Sequence, residues 1–472
     1  ANVPEGLLPT VTLSLAMAVK RMARENAIVK RLSGVETLGS TSVICTDKTG
    51  TLTQNEMTVK RLWTNSIAID VGGVGYKPSG DFTVEGALLS EEDMQQLLAL
   101  MKVAALCNNA RLREPAKADE KWAVVGDPTE VALLVAARKW GLDLPAELAT
   151  SPRRHELPFD SGRKRMSVIH DIGSTGFSPQ ASAPDAGESG TMVAYVKGAP
   201  REVLSLCSRI LIDSKISELD DSRRQEAIVE NDEMARSGLR VLAMAYREFP
   251  AETVLKPEEV ERDLTFVGLM AMMDPPRPEV EEAVKNCRSA GVRVIMITGD
   301  YGLTAESVAR RIGLLDGGSA TIVNGADVDG KTDAALEKSL EDQRVLFARV
   351  APEHKMRIAA ALRDMGEVVA MTGDGVNDAP ALKRADIGIA MGVSGTDVAK
   401  EAATIVLADD NFATIVGAVK EGRVVYDNMR KFLAYIFAHL TPEVVPFAAF
   451  VLFGIPLPLV VMQILAIDLG TE

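Results

Sequence analysis

At 472 residues the chain is too long for one hydrophobic core, so about two to four domains are expected. Hydrophobic residues at 47% and charged ones at 25% exclude a disordered chain. The net charge of −14 excludes non-specific nucleic-acid binding, which needs a basic face. Cys45, Cys107, Cys207 and Cys287 stand far apart with no C-x-x-C pair, which argues against a zinc site or a disulfide framework and suits a reduced setting. No signal sequence precedes Ala1, and Glu472 interrupts an apolar stretch, so a piece of a longer protein is expected.

From Val11 to Val19 the chain is apolar, then abruptly basic at Lys20, Arg21 and Arg24. Ser42-Val43-Ile44 is short and β-branched and predicts a buried strand. Asp47 follows it in Cys45-Thr46-Asp47-Lys48-Thr49-Gly50-Thr51-Leu52-Thr53, where open α/β sheets place their chemistry. A carboxylate there can attack a phosphoryl group and form an aspartyl-phosphate. Lys48 offers charge, and Thr49, Gly50 and Thr51 offer hydroxyls and N–H groups to the transferred oxygens. Residues 58 to about 272 predict a second unit, with a loop-like tract from Gly173 to Gly190. Gly72-Gly73-Val74-Gly75 lacks the strand–turn–helix context of a dinucleotide site and reads as a turn. The methionines near Met270, Met272 and Met273 read as core.

Asp274-Pro275-Pro276-Arg277 is a hinge-like return to the first domain. Two strand-plus-motif units follow. Val292–Ile297 predicts a buried strand ending in Thr298-Gly299-Asp300, and Val368–Met371 another ending in Thr372-Gly373-Asp374-Gly375-Val376-Asn377-Asp378. Asp374 and Asp378 are four apart, so both carboxylates can face one way and hold magnesium beside Asp47. Lys355 supplies a cation for phosphoryl oxygens. The four histidines are scattered and suggest no metal cluster. Phe432–Ile467 is apolar, with Pro442, Pro446, Pro456 and Pro458, and predicts two membrane helices joined by a tight turn. Basic residues flank both apolar ends on the inner side, which puts the middle of the chain in the cytoplasm and the whole in a plasma or cell membrane, against lipid. Glu5, Glu443, Asp468 and Glu472 lie within those ends, where ionisable groups are costly and read as functional. Pro4 and Gly6 around Glu5 would free carbonyls, as transporter ion sites do.

The strings DKTGT, TGD, PEHK and TGDGVNDAP, in this order, resemble the P-type ATPases over essentially the whole chain. The resemblance implies an α/β fold: a haloacid dehalogenase-like, doubly wound phosphorylation domain interrupted by an α+β nucleotide-binding domain, with transmembrane helices at both ends. The implied boundaries are 1–29 for the end of the fourth membrane helix and stalk, 30–57 and 274–423 for the phosphorylation domain, 58–273 for the nucleotide-binding domain, and 424–472 for the fifth membrane helix and start of the sixth. Implied catalytic residues are Asp47, Lys48, Thr49, Thr298, Gly299, Asp300 and Lys355. Asp47, Thr49, Asp374 and Asp378 are the implied magnesium ligands. Four segments match the family's nucleotide domain: Gly126–Glu130, Pro158–Ser161, Lys197–Pro200 and Gly238–Leu242. By resemblance Phe159 stacks on adenine, Glu130 and Lys197 border the base pocket, Arg240 meets the phosphates, and Lys164, Arg349 and Asn377 join the ATP set. Cations for a polyanion and an aromatic face for a base agree with this, and Arg163, Lys164 and Arg165 beside Phe159 favour it. No Walker lysine loop occurs, so ATP is not held in P-loop fashion.

The expected function is ATP-driven cation transport through an aspartyl-phosphate, with the actuator domain and remaining membrane helices missing from this stretch. Gly187-Glu188-Ser189 only coincidentally resembles the actuator's dephosphorylation motif. Glu5, Glu443, Asp468, Thr471 and Glu472 are the implied ligands of the transported cation. Pro4-Glu5-Gly6-Leu7-Leu8 and Ile467-Asp468-Leu469-Gly470-Thr471-Glu472 resemble sodium/potassium pumps more than calcium pumps, the runner-up. Leu440, preceded by His439, stands where both groups carry an asparagine, which predicts fewer ions moved per ATP than in the animal pump. A soluble phosphatase of the same aspartate chemistry is the alternative from another class, but it leaves the adenine-site segments and the acids in the apolar ends without a role.

Overall fold

The computed structural model describes residues 7–115, 117, 122–172, 191–456, 460 and 463. It divides into two units, residues up to Leu52 with those from Arg277 onward, and Thr53–Pro276. These divisions fall a few residues from the expected 57/58 and 273/274. The bridge between Thr53 and Pro276, beside the pairing of Thr58 with Met273, carries both connecting strands past the predicted hinge.

In the first unit, Val43–Thr46 lies inside a six-stranded sheet of order Ala27–Val29, Ile405–Leu407, Ile387–Met391, Val369–Gly373, Val43–Thr46, Arg293–Met296. All pairings are parallel except that of Ala27–Val29 with Ile405–Leu407. Parallel strands are covered on both faces and need unbroken apolar runs, and Val43, Ile44 and Cys45 are accordingly buried. The chain places Arg293–Met296 on one side of Val43–Thr46 and then Val369–Gly373 on the other. That reversal makes the carboxyl end of Val43–Thr46 a switch point, where the crevice of such sheets opens. Val323, Phe347, Ile358, Leu362 and Met371 fill the core beneath it.

A helix from Phe412 to Phe453 belongs to this unit. It crosses the short helix Ser33–Gly39 where two glycines meet: a Cβ on Gly422 would lie 2.7 Å from the Gly39 nitrogen and 2.9 Å from the Val35 carbonyl. The two backbones touch because neither carries a side chain there.

The second unit is built on an antiparallel sheet whose middle strands are Thr58–Thr64, Leu264–Met273, Arg240–Pro250 and Thr191–Gly198. Along Arg240–Pro250 the faces alternate, as period-two geometry requires. Met244 and Tyr246 join the core under helices Leu98–Leu106 and Pro128–Trp140, and Ala243 and Ala245 the core with Ala227 and Met234 of helix Asp221–Arg236. Met270, Met272 and Met273 are buried in it.

Among the described residues no helix is long and apolar enough to cross a membrane, and parts of both expected membrane segments lie outside those residues. A span needs about 20 apolar residues. Helix Leu7–Arg24 spends its last turns on Lys20, Arg21 and Arg24, and Phe412–Phe453 carries Lys420, Glu421, Arg423, Asp427, Arg430 and Lys431 in its first half. Pro442 and Pro446 sit inside the helix, which ends at left-handed Gly454 (φ 67°). Glu5, Asp468, Thr471 and Glu472, and the Gly173–Gly190 tract, lie outside the described residues.

Candidate functional site

Asp47 emerges from the Val43–Thr46 strand with both carboxylate oxygens held. Oδ1 accepts the Lys48 backbone N–H at 2.7 Å, and Oδ2 accepts the Lys355 ammonium at 2.8 Å. The Asp47 backbone N–H donates to Thr372 Oγ1 at 2.9 Å, which ties the turn to the next strand end. Thr49 and left-handed Gly50 (φ 76°) then break any regular helix. The Gly50 carbonyl is held by Arg277 Nη2 at 2.9 Å.

Lys355 is the pivot of the cluster. It sits in the first turn of helix Pro352–Asp364, is 6% exposed, and donates also to Asp378 Oδ1 at 2.9 Å. Burial alone would push its pKa down. The carboxylates of Asp47 and Asp378 outweigh that and hold it above the ordinary lysine value, so the group is a permanent cation. Burial likewise pushes Asp378 up, but Lys355 and the backbone N–H groups of Gly375 and Asp374 bring it below the usual range. Those N–H groups lie 3.0 and 3.2 Å from Asp378 Oδ2, so both its oxygens are engaged.

Asp374 is different. It reaches solvent, yet the protein around its carboxyl and the charges of Asp47 and Asp378 hold its pKa above the ordinary value. Thr396 positions it, donating N–H to the Asp374 carbonyl at 2.8 Å. Three carboxylates thus face one ammonium, and the excess negative charge suits a divalent cation. Among the described residues no group of three or more His, Cys, Asp or Glu closes on a metal by itself. Magnesium takes one or two carboxylates and completes its shell with water and phosphate oxygens. Asp47, Asp374 and Asp378 are the carboxylates on hand for it, Asp378 also anchoring Lys355, and Thr49 stands exposed in the adjoining turn.

Thr298 is buried, and its N–H donates to the Phe347 carbonyl at 2.9 Å. Asp300 pairs with the Lys48 ammonium. The triplet Thr298-Gly299-Asp300 and the Asp47 turn therefore share one edge of the sheet. Arg349, with left-handed backbone (φ 51°), lays its guanidinium 4.8 Å from the Tyr301 ring centre. Asn377 is exposed. Cys45, two residues before the nucleophile, is buried, which pushes its thiol up to about 12 and removes it as a competitor.

In the second unit, Glu130 and Lys197 meet as a half-hidden ion pair of 2.7 Å, with side chains 13% and 8% exposed. Asp127 caps the helix Pro128–Trp140 that carries Glu130, accepting the Thr129 N–H at 2.8 Å. Arg240 joins the same helix start through Thr129 Oγ1 at 3.2 Å. Phe159 stands 65% exposed where strand Arg153–Asp160 bulges opposite Met166, which pairs with Lys197. An unburied aromatic on a rigid sheet is a stacking platform. The basic run beside it behaves otherwise than expected. Arg163 and Arg165 turn inward to Glu261, and Lys164 alone stays at the surface, 2.5 Å from Glu202.

A family profile described as P-type ATPase, cytoplasmic domain N, matches residues 96–279, and one described as haloacid dehalogenase-like hydrolase matches 201–386. A calcium-transporting ATPase of Bacillus subtilis is 43% identical over 474 residues, covering 100% of this chain and 51% of its own. A cation-transporting ATPase of Synechocystis is 41% identical over 99% of this chain and 50% of its own. The rat sodium/potassium-transporting ATPase subunit alpha-2 is 39% identical over 100% and 48%. The chain belongs to the P-type ATPases. It spans about half the length of the curated relatives it matches. Within this P-type ATPase chain the second profile begins inside the nucleotide-type unit, because the haloacid dehalogenase core is split in sequence and resumes only at Arg277.

Three contributors escaped the sequence reading of this P-type ATPase. Thr372 was legible in its T-G-D string but unassigned. Arg277 looked like hinge. Asp410 accepts the N–H groups of Gly392, Val393 and Ser394 at 2.7, 3.0 and 2.8 Å, and so braces the loop that holds Asp374 through Thr396. Its local signal, one of two adjacent aspartates, looks like any helix cap.

Proposed function

We propose that this chain is the catalytic centre of a cation pump driven by ATP through an aspartyl-phosphate. The observation that carries the reading is the Lys355 bridge between Asp47 and Asp378, which aims a charged carboxylate out of a sheet switch point while keeping a fixed cation beside it. An Asp47 oxygen attacks the γ-phosphorus, the bond to the β-phosphate oxygen breaks, and ADP leaves with that electron pair. Lys355 and the N–H groups of the Asp47–Gly50 turn stabilise charge on the transferred oxygens. Asp47, Thr49, Asp374 and Asp378 would hold magnesium, which would neutralise phosphate charge. Phe159, Lys197, Glu130, Lys164 and Arg240 receive the nucleotide, and the resemblance adds Arg349 and Asn377 to the ATP set. The phosphoenzyme then biases an ion site built with Glu5, Glu443, Asp468, Thr471 and Glu472 in membrane-embedded parts of the protein. The central part is cytoplasmic in this reading.

Phe159→Ala or Lys197→Ala is expected to weaken ATP binding by roughly 1–3 kcal/mol, the scale of a lost stack or charge-assisted bond. Calorimetric titration of the full-length protein with ATP checks it, and unchanged affinity in both variants would move the nucleotide elsewhere.

The Ile467–Glu472 string favours a sodium/potassium type of pump. Calcium is the second reading, because the Bacillus subtilis relative named for calcium is 43% identical against 39% for the sodium/potassium one. Phosphoenzyme formation in the full-length protein, titrated separately with sodium, potassium and calcium, is expected to rise with sodium. Stimulation by micromolar calcium alone would overturn the sodium reading and leave the pump reading standing.

A further inference from the structure

Among the described acids of the second unit Glu261 is the most completely buried, 2% exposed, and no motif of the sequence points to it. It ends the short helix Pro257–Val260, whose Val260 is locked in a small core with Leu157, Ile169 and Phe249. Three groups converge on its carboxylate: Arg163 Nη1 at 2.6 Å, Arg165 Nε at 2.7 Å and Ser167 Oγ at 2.7 Å. A carboxylate removed from water is costly even when paired, and apolar replacements of such networks often match them in stability. What the network fixes is therefore more telling than what it stabilises.

It fixes the turn between Phe159 and Lys164. Arg163 reaches from Glu261 to the Pro158 carbonyl with Nη2 at 2.6 Å, so one guanidinium joins the buried acid to the backbone just before Phe159. Arg165 Nη1 closes back on the Arg163 carbonyl at 3.0 Å. Asp160 accepts the N–H groups of Gly162 and Arg163 at 3.0 and 2.8 Å, and the Lys164 N–H donates to the Asp160 carbonyl at 2.6 Å. The Lys164 carbonyl accepts from Ala199 at 2.9 Å, and a Cβ on Gly198 would sit 2.6 Å from that carbonyl. The turn is thus seated on the segment that follows Lys197.

We infer that Glu261, acting through Arg163 and Arg165, is a positioning residue that holds Phe159 and Lys164 in register with Lys197 for the nucleotide. This rests on the nucleotide reading above. The basic run supplies a brace, and only its apex, left-handed Lys164 (φ 52°), stays at the surface, paired there with Glu202. A stacking ring on a loosened bulge samples many orientations, so affinity falls although every ligand-facing side chain is kept.

The test compares two phosphoryl donors in the full-length protein: ATP, and acetyl phosphate, which carries a transferable phosphoryl group but no base. Glu261→Gln keeps the shape and removes the charge. It is expected to raise KM for ATP about five- to tenfold, part of what loss of a stacked aromatic causes, with kcat kept. Acetyl phosphate turnover is expected unchanged. Arg163→Gln, which removes only the partly exposed arm, is expected to repeat the rise and decides the matter if Glu261→Gln does not fold. Phe159→Ala is the reference. If it raises KM for ATP while Glu261→Gln and Arg163→Gln do not, the positioning role is wrong. Equal losses with both donors make the network a general fold element and also overturn it. An unmoved KM in Phe159→Ala removes the nucleotide reading itself.

Discussion

Asp47→Asn is expected to abolish acid-stable labelling by γ-labelled ATP in the full-length protein. The amide matches the carboxylate in size and keeps an acceptor oxygen for the Lys48 N–H, so the turn survives. It has no charge to donate to phosphorus, and the Lys355 ammonium retains Asp378 as its partner at 2.9 Å. Nucleotide binding is expected to persist, since Phe159, Glu130 and Lys197 belong to the other unit. Gel autoradiography at acid pH reads the first outcome and calorimetry the second. Labelling of the variant at the level of the parent would remove Asp47 as the nucleophile, and with it the proposed mechanism.

The second large effect is expected at Lys355. Lys355→Met keeps the length of the side chain and deletes the only ammonium that Asp47 and Asp378 share. Two carboxylates, Asp378 buried and Asp47 partly exposed, then face each other beside Asp374, whose pKa is already held high by burial and by their charges. Loss of a preorganised charge at the reacting oxygens typically costs about 10²–10³ in rate. Removing one partner of a buried pair adds a stability loss of about 3–5 kcal/mol. Single-turnover phosphorylation and thermal unfolding measure the two effects separately. Arginine is not expected to rescue the rate, because its planar fork cannot place one nitrogen between two acids as the tetrahedral ammonium does. A rate within twofold of the parent would mean that Lys355 only holds the fold.

The parallel sheet and its switch point were legible because buried parallel strands write themselves as apolar runs. Val43–Cys45 and Val294–Ile297 are such runs, each followed at once by a polar motif. Lys355 and Asp378 were legible as residues. Their bond was not, since 23 positions separate them and only the helix Pro352–Asp364 brings them together. Arg163 and Arg165 misled for a physical reason. A basic triplet beside an aromatic reads as a phosphate cradle, and the acid that claims two of its members lies about a hundred positions away, behind a short helix with no motif. At the chain's ends the apolar runs were legible, and the charges of Lys420–Lys431 belong to the same helix as the apolar residues after them, with Pro442 and Pro446 continuing it.

The contact of Gly39 with Gly422 has a mechanical side. With no side chains between them, the helix Ser33–Gly39, which leads into the Val43–Thr46 strand, and the 42-residue helix Phe412–Phe453 touch backbone to backbone. Were the long helix to tilt, that contact would serve as its fulcrum. Thr441 lies 19 residues beyond it (441 − 422), or about 28 Å of helix at 1.5 Å per residue. A tilt of about 10° at the fulcrum sweeps that far end through about 5 Å, close to one helical turn. A tilt of that size would therefore arrive beyond Thr441 as a shift larger than a cation's diameter.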